Sequence, residues 1–218
     1  MNDKKNNNKK KKEKKKNLIM DAAEKLFIQK GYQDTTMTEI AKKAKLAKGT
    51  LYLYFSSKKD LYFTSVERAL QTLKDMIIEG ISICKSGFEK VVSMGKTYVN
   101  FSVDYENYYK LILDYETQET KFDESDPHVK KAYEKSEEIF NLLVSSIEEG
   151  KNDGTIDSNL DTKKIAIVLW AEITGLVQQV SLRKDLYKKW TGLDANQIFE
   201  YYIEVTQRML SAPKTSNT

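Results

Sequence analysis

The sequence predicts an all-α protein. Only two prolines and nine glycines occur in 218 residues, and no stretch sustains the alternation of apolar and polar residues that marks an exposed strand. Apolar residues instead recur at intervals of three and four along most of the chain, which is the period of an amphipathic helix.

Charge divides the chain near residue 60. Residues 1–60 hold seventeen lysines, no arginine and seven acidic residues, a net charge of +10, whereas residues 61–218 carry −6. Nine of the lysines lie in residues 1–16, which we expect to form a disordered arm. Lysines attract phosphates whatever the base sequence, so this segment favours a nucleic acid partner. A lysine-rich tail that only improves solubility is the alternative.

Composition excludes several kinds of site. One cysteine, Cys84, and one histidine, His128, cannot supply a disulfide framework, a zinc site or a Ser/His/Asp or Cys/His catalytic group. No glycine loop for phosphates is present, and no cofactor is implied. No apolar run reaches the roughly 18 to 20 residues of a membrane span, and no signal peptide is recognisable. We therefore expect a cytoplasmic protein that is not an enzyme.

The first helix is predicted from about Asn17 to Lys30, with Gly31 at its C-terminal end. Its apolar face comprises Leu18, Ile19, Ala22, Ala23, Leu26 and Phe27. The second helix begins after Thr36, because residues 36–39, TMTE, have the spacing of a capping box. In that motif the threonine hydroxyl and the glutamate carboxylate satisfy amides at the start of the helix.

Residues 45–47 are too few for anything but a turn into a third helix, predicted over Lys48–Phe55. Two short helices joined in this way form a helix-turn-helix, whose second helix conventionally enters the major groove. Leu51 and Phe55, four residues apart, can turn into the core. The residues left outside are candidates for DNA contact: Lys48, Gly49, Thr50, Tyr52 and Tyr54. Packing of Tyr52 and Tyr54 on neighbouring helices stays an alternative.

A long fourth helix follows, with Ser57 as its cap. Beyond Gly80 we predict five further helices, over Phe88–Asn107, Tyr108–Glu119, Asp126–Glu149, Asp161–Arg183 and Leu193–Ser211. Pro127 suits a first helical position and Asp161 suits a cap. Residues 213–218 are expected to form a flexible tail.

Many residues of the first four helices fall at the spacing of a known family. They are Ala22-Ala23, Leu26-Phe27, Gly31-Tyr32, Thr35-Thr36, Ile40-Ala41, Ala44, Lys48 to Tyr52, Tyr54-Phe55, Ser57-Lys58 and Leu61. Over about residues 14–74 the chain therefore resembles the DNA-binding domain of TetR/AcrR family transcriptional regulators.

The resemblance implies a homodimeric, ligand-responsive repressor of a palindromic operator in double-stranded DNA. It implies a helix-turn-helix domain over residues 17–60 and a helical ligand-binding and dimerisation domain over residues 61–212. The implied phosphate contacts are Thr36, Thr38, Tyr52, Tyr54 and Lys58, and the implied base contacts are Lys48, Gly49 and Thr50. Two positions depart from the family. Lys45 stands where glycine is usual and should adopt a left-handed conformation, and Ala47 stands where serine caps the recognition helix.

The helix predicted over Asp161–Arg183 is apolar on two opposite faces. One face comprises Ile165, Leu169, Ile173, Leu176 and Val180, and the other Val168, Ala171, Gly175 and Leu182. We expect the first face to lie in the core. The second should form a two-fold interface, completed by Leu193–Ser211 into an intersubunit four-helix bundle. A helix central to the core of a monomer is the alternative.

Aromatic residues are the candidates for an effector pocket: Tyr98, Phe101, Tyr105, Tyr109, Tyr133, Phe140 and Trp170. The same pattern is typical of plain core, and the ligand is left open within small lipophilic or amphipathic molecules. Two other functions stay open. One is an inducer-free DNA-binding factor with an architectural or division-linked role, and the other is an α-helical enzyme with a basic appendage.

Overall fold

The computed structural model describes residues 2–118, 123 and 125–211, and every regular element in this part of the chain is an α-helix. The helices are α1 Asn2–Asp34, α2 Met37–Lys43, α3 Lys48–Tyr52, α4 Lys58–Ser82, α5 Gly87–Asp104, α6 Glu106–Gln118, α7 Pro127–Asp153, α8 Thr162–Thr191 and α9 Ala195–Leu210. The all-α prediction is confirmed. The predicted helix end at Glu119 and the tail at 213–218 lie outside the described residues.

The first helix is longer than predicted. It begins at Asn2 rather than near Asn17, so the lysine-rich segment is helical where we expected a disordered arm. Lysine is a good helix former, the segment contains neither proline nor glycine, and extending an existing helix avoids the costly step of nucleation. Near its other end the backbone leaves the helical conformation at Gly31, with φ 79°, which confirms the predicted break.

The chain divides into two compact units. The first comprises residues 1–72 and 105–136, and the second comprises residues 73–104 and 137–218. The first unit therefore contains α1, α2, α3 and α6, together with the N-terminal parts of α4 and α7. The domain boundary that we placed at residue 60 stays a prediction.

An aromatic cluster forms the core of the first unit. The fully buried Tyr62 ring lies 5.1 Å from the Phe27 ring, 4.8 Å from Tyr32 and 5.3 Å from Phe63, between centroids. Its hydroxyl donates to Asp114 Oδ2 at 2.7 Å. Burial raises the pKa of Tyr62, and the hydrogen bond to Asp114 raises it further. The phenol therefore stays a donor and connects α4 to α6.

Arg68 makes a second polar connection in this unit, between α4 and α1. Its Nη2 donates to Glu24 Oε1 at 2.6 Å and to Asp21 Oδ1 at 2.7 Å. The Glu24 side chain is only 8% exposed, and the guanidinium also lies 5.6 Å from the Tyr108 ring centroid in α6. Because a buried charge is costly without its partner, Arg68 and Glu24 hold α1 and α4 in one relative position.

In the second unit, α8 buries one of its two apolar faces. Ile165, Leu169, Ile173 and Val180 are buried, as predicted for the core face, and Leu176 is half-buried. Val168 and Leu182 on the opposite face are 42% and 72% exposed, so the alternative of a helix central to a monomer core is wrong. At the predicted end, Arg183, the backbone leaves the helical conformation with φ −130°, and a further helical stretch continues to Thr191, where Gly192 with φ 76° is the cap.

The turn between α2 and α3 has the geometry of a helix C-cap. Leu46 N–H donates to Ala41 O at 3.0 Å and Lys45 N–H to Lys42 O at 3.2 Å, a pair of bonds that requires a left-handed residue after the cap. Lys45 supplies it with φ 56°, as predicted, and no other non-glycine residue in the described part of the chain has a positive φ.

This turn predicts an unusual effect of glycine on stability. We expect Lys45→Gly to raise the free energy of unfolding by up to about 1 kcal/mol, because glycine adopts this conformation without strain. Lys25→Gly, at an exposed position inside α1, should lower it by about 1 kcal/mol. Urea unfolding of both variants measures the difference. Equal losses at the two positions would show that Lys45 is not strained.

Candidate DNA-binding interface

The predicted capping box fixes the start of α2. Thr36 Oγ1 accepts a hydrogen bond from Glu39 N–H at 3.3 Å, and Thr36 N–H donates to Glu39 Oε2 at 3.0 Å. Lys30 Nζ also lies 2.5 Å from Glu39 Oε1. These hydrogen bonds, that of Lys30 first, lower the pKa of Glu39 to about 2. The Thr36 hydroxyl is thus part of the cap, while Thr38 is exposed one residue into the second helix.

The third helix is held by two apolar side chains. Leu51 is fully buried and Phe55 is 2% exposed, which confirms their predicted inward orientation. The helix ends at Tyr52 rather than at Phe55, because Leu53 N–H and Tyr54 N–H bond to carbonyls only three residues back. This tighter turn closes the helix.

The opposite side of α3 faces outward. Lys48, Gly49 and Tyr52 are exposed, while Thr50 and Tyr54 are half-buried. Ala47 makes no side-chain hydrogen bond to the start of the helix, as predicted. A Cβ atom added to Gly49 would meet no atom of the described residues within 4 Å. The missing side chain leaves the α3 backbone accessible to close approach by another molecule.

Unpaired lysines give this surface a positive charge. Lys42, Lys43, Lys45 and Lys48 are exposed, and none of them forms an ion pair with any residue that the structure describes. The acid in α2, Glu39, is already paired with Lys30. Free ammonium groups on one surface attract phosphates, so the surface suits a nucleic acid backbone.

Lys58 makes contacts that the sequence did not predict. Its ammonium donates to Tyr32 O at 2.7 Å and to Gln33 O at 3.0 Å, and lies 4.4 Å from the centroid of the Tyr32 ring. Partial burial lowers the pKa of Lys58. The contact connects the end of α1 to the start of α4, with α2 and α3 between them in sequence. Lys58 therefore positions α3, and its predicted phosphate contact would compete with these carbonyls.

Two further residues of this surface escaped prediction. Leu53, directly after α3, is 78% exposed, and an apolar side chain in this position can contact the methyl group of thymine. Lys16 Nζ lies 6.0 Å from the Phe55 ring centroid. The C-terminal end of the lysine-rich part of α1 therefore lies beside Phe55, three residues after the end of α3. The exposure of Leu53 was not predicted because polar and apolar residues are mixed along Lys48–Phe55. The position of Lys16 beside Phe55 was not predicted because it depends on the tertiary structure.

The aromatic residues predicted to line an effector pocket divide between the units. Tyr105, Tyr109 and Tyr133 belong to the first unit, and Tyr98, Phe101, Phe140 and Trp170 to the second. Of these, Tyr98 and Trp170, with ring centroids 5.7 Å apart, line one cavity of about 30 Å³. Phe101 is fully buried. A cavity of this size holds a water molecule or two and no larger ligand.

The residues predicted for a dimer interface lie on an exposed apolar surface of the second unit. Besides Val168 and Leu182, Ala171 is exposed and Gly175 is half-buried. On α9, Tyr201 and Val205 are 58% and 43% exposed and stand one helical turn apart. Several large apolar side chains exposed on two helices of one unit are typical of an interaction site.

Comparisons with known proteins agree with this geometry. Residues 19–64 match the sequence model of bacterial regulatory proteins of the tetR family, which confirms the resemblance seen in the sequence. The biofilm operon negative regulator IcaR of Staphylococcus aureus strain Newman is 32% identical over 100 residues, which are 45% of this chain and 46% of IcaR. The chain matches less than half the length of the curated relatives that head the comparison.

Solved structures share the whole architecture. A transcriptional regulator from Saccharomonospora viridis in complex with choline has a TM-score of 0.74 at 18% identity, covering 91% of this chain and 98% of its own. FadR from Bacillus subtilis in complex with stearoyl-CoA has a TM-score of 0.68 at 22% identity, covering 86% and 95%. At such identities the likeness establishes the fold.

Two methionine substitutions separate positioning from DNA contact. We expect Lys58→Met to lower the free energy of unfolding by about 1 to 2 kcal/mol, because it leaves the α1 carbonyls without their charged donor. Lys48→Met should leave stability within about 0.5 kcal/mol and weaken the preference for one base pair of the operator by about 1 to 3 kcal/mol. Thermal unfolding, and titrations with the operator and with random duplex DNA at several salt concentrations, test both. A stable Lys58→Met variant with a reduced slope would restore its role as a phosphate contact.

Proposed function

We propose that this chain, whose residues 19–64 belong to the TetR family of bacterial regulatory proteins, is a homodimeric transcriptional repressor. It leaves a palindromic operator when a small lipophilic or amphipathic effector binds to the second unit. The observation that carries the proposal is the outward surface of α3. Buried Leu51 and Phe55 hold that surface in place, and unpaired lysines surround it.

The proposed DNA contacts on α2, on α3 and directly after α3 have two roles. Lys48 and Thr50 read bases, since lysine suits guanine O6 and N7 and a hydroxyl suits several base edges. Thr38, Tyr52 and Tyr54 donate to phosphates, which sets the register of the protein on the duplex without specifying sequence. Gly49 lets the helix approach the groove closely.

Dimerisation through α8 and α9 follows from their exposed apolar residues. α8 is long and apolar enough by composition to cross a membrane, yet only 33% of its most apolar window is buried within one chain. A two-fold contact would cover the remainder, because a symmetric interface uses the same patch on both subunits. The small residues Ala171 and Gly175 allow two α8 helices to approach closely.

The effector site that we propose lies between α5, α8 and α9 in the second unit. A groove of about 240 Å³ is lined there by apolar residues including Phe199 and Ile203 and by polar residues including Lys96 and Asn100. It shares Gly95, Ile173, Tyr202 and Ile203 with the small cavity beside Tyr98 and Trp170. Together the two spaces approach the roughly 300 Å³ of the smallest ordinary ligand pockets.

Tyr202 lines both the groove and the cavity. Its ring carbon Cε1 is the one atom within 4 Å, at 4.0 Å, of a Cβ built on Gly95, so the absent side chain leaves this ring room to move. Burial raises the pKa of Tyr202, which keeps the phenol neutral. The two related folds bound to choline and stearoyl-CoA favour an effector with an apolar part and a polar end.

Gly175→Leu tests dimerisation without disturbing the single chain. A Cβ at Gly175 would meet nothing within 4 Å, so the fold tolerates the larger side chain, whereas a close α8 contact between two subunits does not. We expect a monomer in sedimentation, and an affinity for a selected operator that falls on the order of 10³-fold, to the non-specific level.

Glu79→Leu, which adds the same side chain at an exposed position of α4, is the control and should remain dimeric with full affinity. A monomeric wild type, or a dimeric Gly175→Leu variant with full operator affinity, would contradict the proposed interface.

The effector site is tested by thermal shift with choline and with stearoyl-CoA. We expect at least one of these two ligands to raise the Tm of the wild type and to release the selected operator, since a ligand at 100 times its Kd adds about 2.7 kcal/mol of stability. Gly95→Leu should abolish both effects by filling the space beside Tyr202, with the unliganded Tm nearly unchanged. Operator binding that neither ligand alters, with no change in Tm, would favour the inducer-free regulator.

A further inference from the structure

The N-terminal half of α1 is a helix covered with positive charge. Between residues 9 and 16 it carries seven lysines and one acid, Glu13. All of these side chains are exposed except that of Lys16, which is half-buried. None of the seven lysines forms an ion pair within the part of the chain that the structure describes. At 1.5 Å per residue, residues 2–16 extend about 22 Å along the helix axis.

This segment is anchored beside the candidate DNA-binding surface. Ile19 and Met20, which follow it in α1, are 0% and 3% exposed in the core of the first unit, and Lys16 lies over the ring of Phe55. Exposed side chains of the segment, among them Lys10, Lys11, Lys14 and Lys15, border the same open surface region as Tyr54, one of the predicted phosphate contacts. Glu13 and Asp21 border it as well.

The charge pattern of the segment favours an anionic partner. Lysines stand four residues apart at 10 and 14, 11 and 15, and 12 and 16, a spacing at which like charges on a helix repel. A polyanion that lies along the segment removes this repulsion, so binding and helix stability are coupled.

The partner is a nucleic acid backbone rather than a lipid surface. A helix that lies on a membrane needs an apolar face, and residues 2–17 contain no apolar residue at all. Duplex DNA carries one negative charge per about 1.7 Å of its axis with both strands counted, so about 22 Å of duplex holds roughly a dozen phosphates, and those on the near side face the segment. Tyr54, which borders the segment, follows α3 by two residues in the sequence.

We propose that residues 2–16 form a basic helix that binds the DNA backbone flanking the half-site contacted by α3, and that DNA binding strengthens its helical conformation. This inference rests on the proposed DNA-binding function. In this proposal the lysines of the segment add to the affinity for DNA whatever its base sequence, and they make no base contacts.

Matched charge variants of the full chain test the proposal. Replacing Lys10, Lys11, Lys14 and Lys15 by glutamine should lower the slope of log affinity against log salt concentration by about 3 to 4, at about 0.9 per lost phosphate contact. The preferred operator sequence should not change. The control replaces four exposed lysines of α8 by glutamine, at Lys163, Lys184, Lys188 and Lys189, and should keep the wild-type slope.

A second variant separates helix from charge. Lys12→Pro keeps six of the seven lysines but breaks the helix. We expect this variant to lose at least half of the contribution that the segment makes to the slope of log affinity against log salt concentration. Circular dichroism at 222 nm should show added helix when random duplex DNA binds the wild type, and none with Lys12→Pro.

A glutamine variant with the wild-type slope would overturn the proposal, as would a Lys12→Pro variant indistinguishable from the wild type in both measurements. Binding to phosphatidylglycerol vesicles that the glutamine variant loses, with an unaltered DNA slope, would assign the segment to lipid instead. Failure of the wild type to prefer any duplex sequence would refute the proposed operator function, while the slope on random DNA would still report on the segment.

Discussion

The carbonyl groups at the end of α1 have no partner within their own helix, and the structure satisfies two of them with the ammonium group of Lys58. Gly31 ends the regular helix just before these carbonyls. Lys58 begins α4, so one side chain joins the two ends of the segment that contains α2 and α3. A charged contact outside α3 therefore closes the segment whose third helix Leu51 and Phe55 anchor in the core.

From Lys58 a continuous set of contacts reaches α6. The ammonium lies over Tyr32, Tyr32 contacts the buried ring of Tyr62, and Tyr62 donates to Asp114 in α6. Arg68 and Glu24 add a buried ion pair between α4 and α1. Since a buried polar network tolerates few alternative arrangements, a displacement of α6 would strain the contacts that position α3.

Sequence predicted the features of this chain that depend on near neighbours. The capping box of Thr36 and Glu39, the left-handed turn at Lys45, the inward Leu51 and Phe55 and the core face of α8 all follow from spacings of a few residues. The role of Lys58 did not follow, because its partners lie 25 and 26 residues away. The helical conformation of residues 2–16 was not predicted either, because composition alone does not show that a helix formed in the core continues beyond it. The aromatic residues were recognisable as buried, but which rings share a cavity depends on how the helices pack.

In the proposed homodimer, two copies of α3 read one duplex together. Hydroxyl-radical footprinting on an operator selected from random duplexes shows whether they do. We expect two symmetric protected regions whose centres lie about 10 to 10.5 base pairs, or a multiple of that distance, apart. A single asymmetric protected region, or uniform protection without any preferred sequence, would contradict it.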